Sequence, residues 1–289
     1  MSSAAATAAA PAQPVRTRRP GIGTVYRWEL RKLVSLKRTY LGLGFAALMP
    51  LIFVIALAAR NEPPRDVPFG RYALDSGLAI PLILLTFGSY WLFPLITALV
   101  AGDIVASEDQ NGTLKTILTR SVDRGQIFAG KALVALTYTV LSLLTMAAVA
   151  LAGGGIESGW HSLVSLSGTH VPVGRALVLI AASFGIYLLP LIALAAIGLL
   201  LSTVMRNSAA AVVGTLMFSL VLQLVAILPG VGHIKPYLLV NQFFAWHGFL
   251  RTPIDWAPIG HAAWVCALWA IPSFVAAYVV FLRRDVAGG

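Results

Sequence analysis

The sequence predicts an all-α integral membrane protein with six transmembrane helices, and three observations carry that prediction. Hydrophobic residues make up 58% and charged residues 11% of the 289, with a mean hydropathy of +0.83, whereas a soluble domain carries about 25% charged residues. Six uncharged apolar stretches, at 39–59, 78–102, 132–152, 176–201, 209–229 and 261–282, are each long enough to cross about 30 Å of hydrocarbon at about 1.5 Å per residue. Lys and Arg fall unevenly on the alternate connecting segments, 15 on one side and six on the other, which places both termini in the cytoplasm.

Taken from the N-terminus, residues 1–21 are rich in Ala, Ser and Pro, and their charges follow the Ala run, the reverse of a secretory signal. They are expected to form a disordered cytosolic tail, leaving 22–289 as one six-helix domain. Ile22 to Arg38 puts Ile22, Val25, Tyr26, Leu33 and Leu36 on one helical face and Arg27, Arg31, Ser35 and Arg38 on the other, the pattern of an amphipathic helix lying in the membrane plane. Glu29 falls within the apolar arc, where an unpaired carboxylate is costly, so it requires either a cation or a protein neighbour. Pro50, Pro81, Pro94, Pro190, Pro229 and Pro272 lie within or at the ends of the spans, and neighbouring helices are expected to satisfy the backbone groups that they free.

The segment between the second and third spans is the polar interior of the chain. It ends in GQIFAGKA, Gly125 to Ala132, which approaches a phosphate-binding loop. That loop needs a hydroxyl after the Lys and a soluble strand–turn–helix around it. Ala132 occupies the hydroxyl's place and a membrane span follows, so nucleotide binding is not expected there. Ile104 to Leu118 instead reads as a short helix with Leu114, Ile117 and Leu118 on one face and Glu108, Asp109, Lys115 and Thr116 among its polar positions, interrupted at Gly112.

Thr86, Tyr90, Phe93 and Thr97 on the second span recur at helical spacing, as do Tyr138, Ser142 and Thr145 on the third and Thr215, Ser219 and Gln223 on the fifth. Such stripes either line a translocation path or hydrogen-bond across helices. No Asp, Glu, Lys or Arg lies inside a predicted span, which argues against an ion-coupled carrier with a buried relay. An intramembrane lipid-modifying enzyme finds no HExxH or GxSxG motif to support it. One cysteine, Cys266, excludes an internal disulfide, and the five histidines match no metal-ligand spacing. The net charge of +10 follows from the topology and suits anionic headgroups, not nucleic acid. Trp246, Trp256, Phe243 and Phe244, between Gly230 and Pro258, read as an interfacial or re-entrant segment.

The run Glu108, Gly112, Thr113, Leu114, Leu118, Thr119, Arg120, Ser121, Arg124, Ile127, Gly130 and Lys131 resembles the E-x-x-x-G-T-L…S-R…I-x-x-G-K pattern of ABC-2 type permeases, the membrane subunits of ATP-binding cassette exporters. Ser121 stands where a Pro is common and Asp123 where a Ser is typical. YRWELRKLVSLKRTYLGLG resembles that family's connecting helix, including Glu29. The resemblance implies that residues 108–118 form a coupling helix contacting a separate ATPase, with Glu108, Asp109, Gly112, Thr113, Leu114 and Leu118 at the contact. It implies two ATPase subunits holding ATP and Mg, with no cofactor or enzymatic activity on this chain. A second permease, identical or paralogous, would complete the exporter in the cytoplasmic membrane of a prokaryote. Thr86, Tyr90, Phe93, Thr97, Thr215, Ser219 and Gln223 would then face the path of an amphipathic drug, peptide or lipid.

Overall fold

The structure is a computed structural model that describes residues 21–60, 67–113 and 122–283. The chain is a helical multi-pass membrane protein. Five helices are long and apolar enough to cross a bilayer, or six if a bent pair counts as one span. Residues 1–20 of the tail expected over 1–21 lie outside the described residues, as do Leu114 and Leu118.

Helix α1 (Ile22–Ser35) buries Val25 and Leu33 and ends where Leu36 turns extended. The Thr39 hydroxyl donates to the Leu33 carbonyl across that break (2.5 Å), so α1 and α2 (Lys37–Arg60) meet at a fixed corner. The second apolar stretch is not a straight span. It forms α3 (Ile80–Tyr90) and α4 (Leu92–Ala101), bent by 59°. The cause is Pro94, which has no N–H to give the carbonyl four residues earlier. That carbonyl belongs to Tyr90, and it accepts instead from the Gln223 amide at 2.8 Å.

The polar segment begins with α5 (Ala106–Gln110). It is followed by α6 (Arg124–Ser158), which the Asp123 side chain caps at Gly125. Gly125 to Lys131 therefore stand on a continuous helix, the opposite of a phosphate-binding loop. Helices α7 (Val173–Val204), α8 (Ser208–Ile227) and α9 (Ala257–Arg283) complete the bundle. At the C-terminal end of α9 the Arg124 guanidinium donates to the Leu282 carbonyl (3.0 Å). The start of α6 and the end of α9 thus share one end of the bundle.

The connections at the other end form a layer of their own. Gly77 donates its N–H to Gly159 (2.9 Å), Ser158 bonds Ala73, and Leu166 donates to Leu250 (2.8 Å). A short antiparallel pair, β1 (Leu163–Val164) with β2 (His170–Val171), departs locally from an all-helical chain. The segment before α9 winds as 3-10 helix over Leu239–Leu250. It is not an interfacial anchor throughout: Trp246 and Phe243 are buried, with Trp246 packed near Phe69 (6.1 Å between ring centroids), while Trp256 remains exposed. In this layer Phe69, Phe243, Trp246 and Leu250 turn inward, whereas the spans present many apolar side chains outward, such as Ile52, Leu144, Leu224 and Ile271, where lipid and not water is their neighbour.

Candidate functional site

At the bundle end shared by α6 and α9, charged groups converge on α5 from every side. Glu29 of α1 sits within the apolar arc of that helix, and its carboxylate meets the Lys131 ammonium at 3.0 Å. The cation demanded by the sequence is therefore present, supplied by the third turn of α6. Lys131 is 0% exposed and also pairs with Glu108 of α5 at 2.7 Å, while Glu108, at 2% exposure, pairs with Lys32 of α1 as well. Lys131 donates a further hydrogen bond to the Ile104 carbonyl (3.3 Å).

Two carboxylates and two ammonium groups satisfy one another, the condition under which buried charge is tolerated. Burial by itself would raise the Glu108 carboxyl, but Lys131 and Lys32 outweigh it and hold it below its ordinary value.

A second set of bonds ties α5 to the opposite pair of helices. The Ser202 hydroxyl at the end of α7 accepts from the amides of Val105 and Ala106, both at 3.0 Å. These are unpaired donors at the start of α5, of the kind a helix N-terminus leaves open. Gln110 accepts from the Ser208 amide at the start of α8 (3.0 Å). Asp103 joins Arg38 of α2 to the Ser208 hydroxyl.

Close backbone approach assists the assembly. Gly130 lies against α1, where an added Cβ would come 2.7 Å from Val25 Cγ1. The Tyr26 hydroxyl bonds Thr137 of α6 at 3.0 Å. Polar contacts thereby fasten α5 to α1, α6, α7 and α8, and Asp103 just before it is tied to α2 through Arg38.

The six residues expected at an ATPase contact separate into distinct environments. Glu108 points inward and is a structural ion, not an exposed one. Asn111, Gly112 and Thr113 are exposed, and the Thr113 hydroxyl returns to the Glu108 carbonyl (3.2 Å). Gly112 adopts φ +69° with nothing within 4 Å of an added Cβ, so it closes the helix by its left-handed backbone and not by close packing. The helix expected from 108 to 118 is thus described only as Ala106–Gln110, with Asp109 in its last turn.

The residues expected to line a path divide similarly. Phe93 is buried against Tyr187, with ring centroids 5.6 Å apart. Thr97 is buried on α4, and Thr215 is buried where α4, α7 and α8 converge on Gly198, whose added Cβ would lie 3.0 Å from Ala101 and 3.3 Å from Thr215. Thr215 bonds its own helix at Ala211 (2.8 Å), as Ser142 and Thr145 do theirs. Tyr138 is the exception, reaching the Thr39 carbonyl at 3.1 Å. The hydroxyls of Thr86, Thr97 and Ser219 are buried without a hydrogen-bond partner among the described residues. Tyr90 and Gln223 are joined by the bond that repairs the Pro94 break.

Sequence reasoning missed Asp103, Lys32, Arg38, Ser202 and Ser208 as members of the site. Their signal was weak, since Asp103, Arg38, Ser202 and Ser208 stand just outside apolar stretches, where polar residues are ordinary, and Lys32 is one of several basic residues on α1. Among the described residues, no group of three or more His, Cys, Asp and Glu could hold a metal ion.

A family described as "Protein of unknown function (DUF2705)" matches residues 47–287. The chain belongs to the DUF2705 family. No curated protein matches the sequence. The DUF2705 match begins inside α2, so it takes in Asp103, Glu108 and Lys131 but not the α1 partners Glu29 and Lys32.

Proposed function

We propose that this chain is the membrane subunit of an ATP-binding cassette exporter of the ABC-2 type, coupled through α5 and the residues after it to a separate ATPase. The observation that carries this reading is the attachment of α5. A five-residue helix in a polar segment has too few internal hydrogen bonds to be rigid alone. Here it is pinned through Glu108 to α1 and α6 and through Ser202 and Ser208 to α7 and α8. A displacement imposed on the exposed turn at Asn111–Thr113 would pass into several spans at once, as rigid-element coupling requires.

In this reading α3 and α4 are one broken second span, giving six. α1 lies along the cytoplasmic surface, and both termini face the cytoplasm of a prokaryotic cell. A second permease completes the complex and the ATPases hold ATP and Mg. The cargo is an amphipathic drug, peptide or lipid. Glu108 belongs to the transmission and not to the docking surface, which leaves Asn111–Thr113 as the described part of that surface.

The test is co-purification of the tagged chain with a P-loop ATPase, followed by reconstitution. Asn111→Trp, which adds bulk on an exposed position, is expected to lower partner ATP hydrolysis and transport at least tenfold while the chain inserts and folds normally. Uphill transport by vesicles containing this chain alone, abolished by an uncoupler, would favour the ion-coupled carrier instead.

A further inference from the structure

At the bundle end opposite the Lys131 network, a cleft of about 660 Å³ opens between the 3-10 segment and the first turns of α9. Arg251 and Asp255 stand at its wall, 3.1 Å apart, with His247 and His261 beside them. Among the described residues the Arg251 guanidinium donates to Asp255 alone, although it has five N–H groups. Burial, with a smaller effect of Arg251, pushes the His247 imidazole down to about 4, so the wall carries one balanced charge pair beside a neutral ring at neutral pH.

His261, Trp264, Leu268, Ile271 and Val275 follow one face of α9 at three- and four-residue spacing, and the last four are exposed. Ile271 and Val275 then form one wall of an apolar groove of about 220 Å³, closed by Leu136 of α6 and Ala196 of α7. Ten residues separate His261 from Ile271, about 15 Å along a helix, half of the roughly 30 Å hydrocarbon core. Trp256 (63% exposed) and Trp264 (47% exposed) flank the polar end, the position of aromatic side chains at a headgroup boundary.

We propose that this cleft and groove bind one zwitterionic, amine-bearing phospholipid, its phosphate at Arg251, its ammonium at Asp255 and an acyl chain along α9 into the Ile271–Val275 groove. A polar site with a balanced charge pair, an apolar site one leaflet's depth away, and an exposed apolar stripe joining them match a lipid's own anatomy. A soluble headgroup would leave the groove empty, and an anionic lipid would leave Asp255 facing a phosphate without an amine. The inference stands apart from the transport reading, since a bound lipid requires no ATPase.

The purified full chain is to be delipidated in detergent and incubated with phosphatidylethanolamine, phosphatidylglycerol or phosphoethanolamine, and bound molecules counted by native mass spectrometry. One phosphatidylethanolamine is expected to be retained at least tenfold better than phosphatidylglycerol, with phosphoethanolamine failing to displace it. Arg251→Gln and, separately, Ile271→Trp should each reduce retention at least tenfold, with helicity by circular dichroism unchanged. Arg251→Lys guards against misfolding and should keep at least half of the retention. Equal retention of both lipids, or indifference to Arg251→Gln, would mean a nonspecific lipid coat and overturn the proposal. Displacement by phosphoethanolamine would overturn it in favour of a soluble ligand.

Discussion

Lys131 is the residue on which the most depends. Its ammonium answers two carboxylates on different helices, Glu108 buried and Glu29 partly buried, and truncating one partner of a buried ionic group costs about 3–5 kcal/mol because the others remain charged without compensation. Lys131→Met is therefore expected to destabilise the chain by about that much in detergent unfolding. The triple variant Glu29→Gln, Lys131→Met, Glu108→Gln should cost distinctly less, because the one charge it leaves without a partner, Lys32, is 45% exposed and solvated. If the triple variant is as unstable as the single one, the ionic account fails. Glu108 also gives the network a pH signature. Its folded pKa lies below the ordinary carboxylate value of 4.5, so the unfolded chain binds the proton first on acidification. Its contribution is complete above about pH 4.5 and fades as pH falls through the lower folded value. Glu108→Gln should flatten that part of a stability–pH curve. The sequence placed Glu29 in an apolar arc and so demanded a cation, but it could not select Lys131, 102 residues away, because helix packing and not spacing brings the two together.

At the scale of elements, the break between α3 and α4 shows how a helix defect is contained. Pro94 removes one backbone bond and Gln223 of α8 replaces it. Gln223→Leu should destabilise by about 1 kcal/mol and raise hydrogen exchange around the break. In a Pro94→Ala background the returning N–H can serve the Tyr90 carbonyl, so the same substitution should cost little, and undiminished loss in the double variant would refute the repair. Apolar length made the second stretch legible as membrane-embedded. Its bend was not legible, because Pro50, Pro190 and Pro272 occur inside continuous helices and only tertiary contact distinguishes them from Pro94. The polar stripes met the same limit: helical spacing located Thr97 and Thr215 on their helices, but tertiary packing decided that they are buried.

For the whole molecule, one end gathers buried charge around α5 and the other gathers the inter-helix connections, the cleft and the exposed tryptophans. On the proposed reading the α5 end faces the cytoplasm, the side that the Lys and Arg asymmetry favours. With the single cysteine replaced (Cys266→Ala), Asn111→Cys should react with an impermeant thiol reagent only after the membrane is opened, and Ser162→Cys should react in intact cells. The reverse pattern would invert the topology and remove the coupling proposal with it. Both probe positions are exposed, so silence at either reports sidedness and not burial.

Composition and apolar run length by themselves determined that this chain is a helical membrane protein, because no folded arrangement in water could hide so much hydrocarbon and the backbone must bond internally in lipid. The tertiary structure alone decided which charges meet, that Glu108 faces inward, and that a balanced ion pair stands at the head of an apolar groove. The first two outcomes rest on contacts between residues tens to more than a hundred positions apart, and the Arg251–Asp255 pair, though only four positions apart, is set beside that groove by helix packing; such packing leaves no period in a sequence.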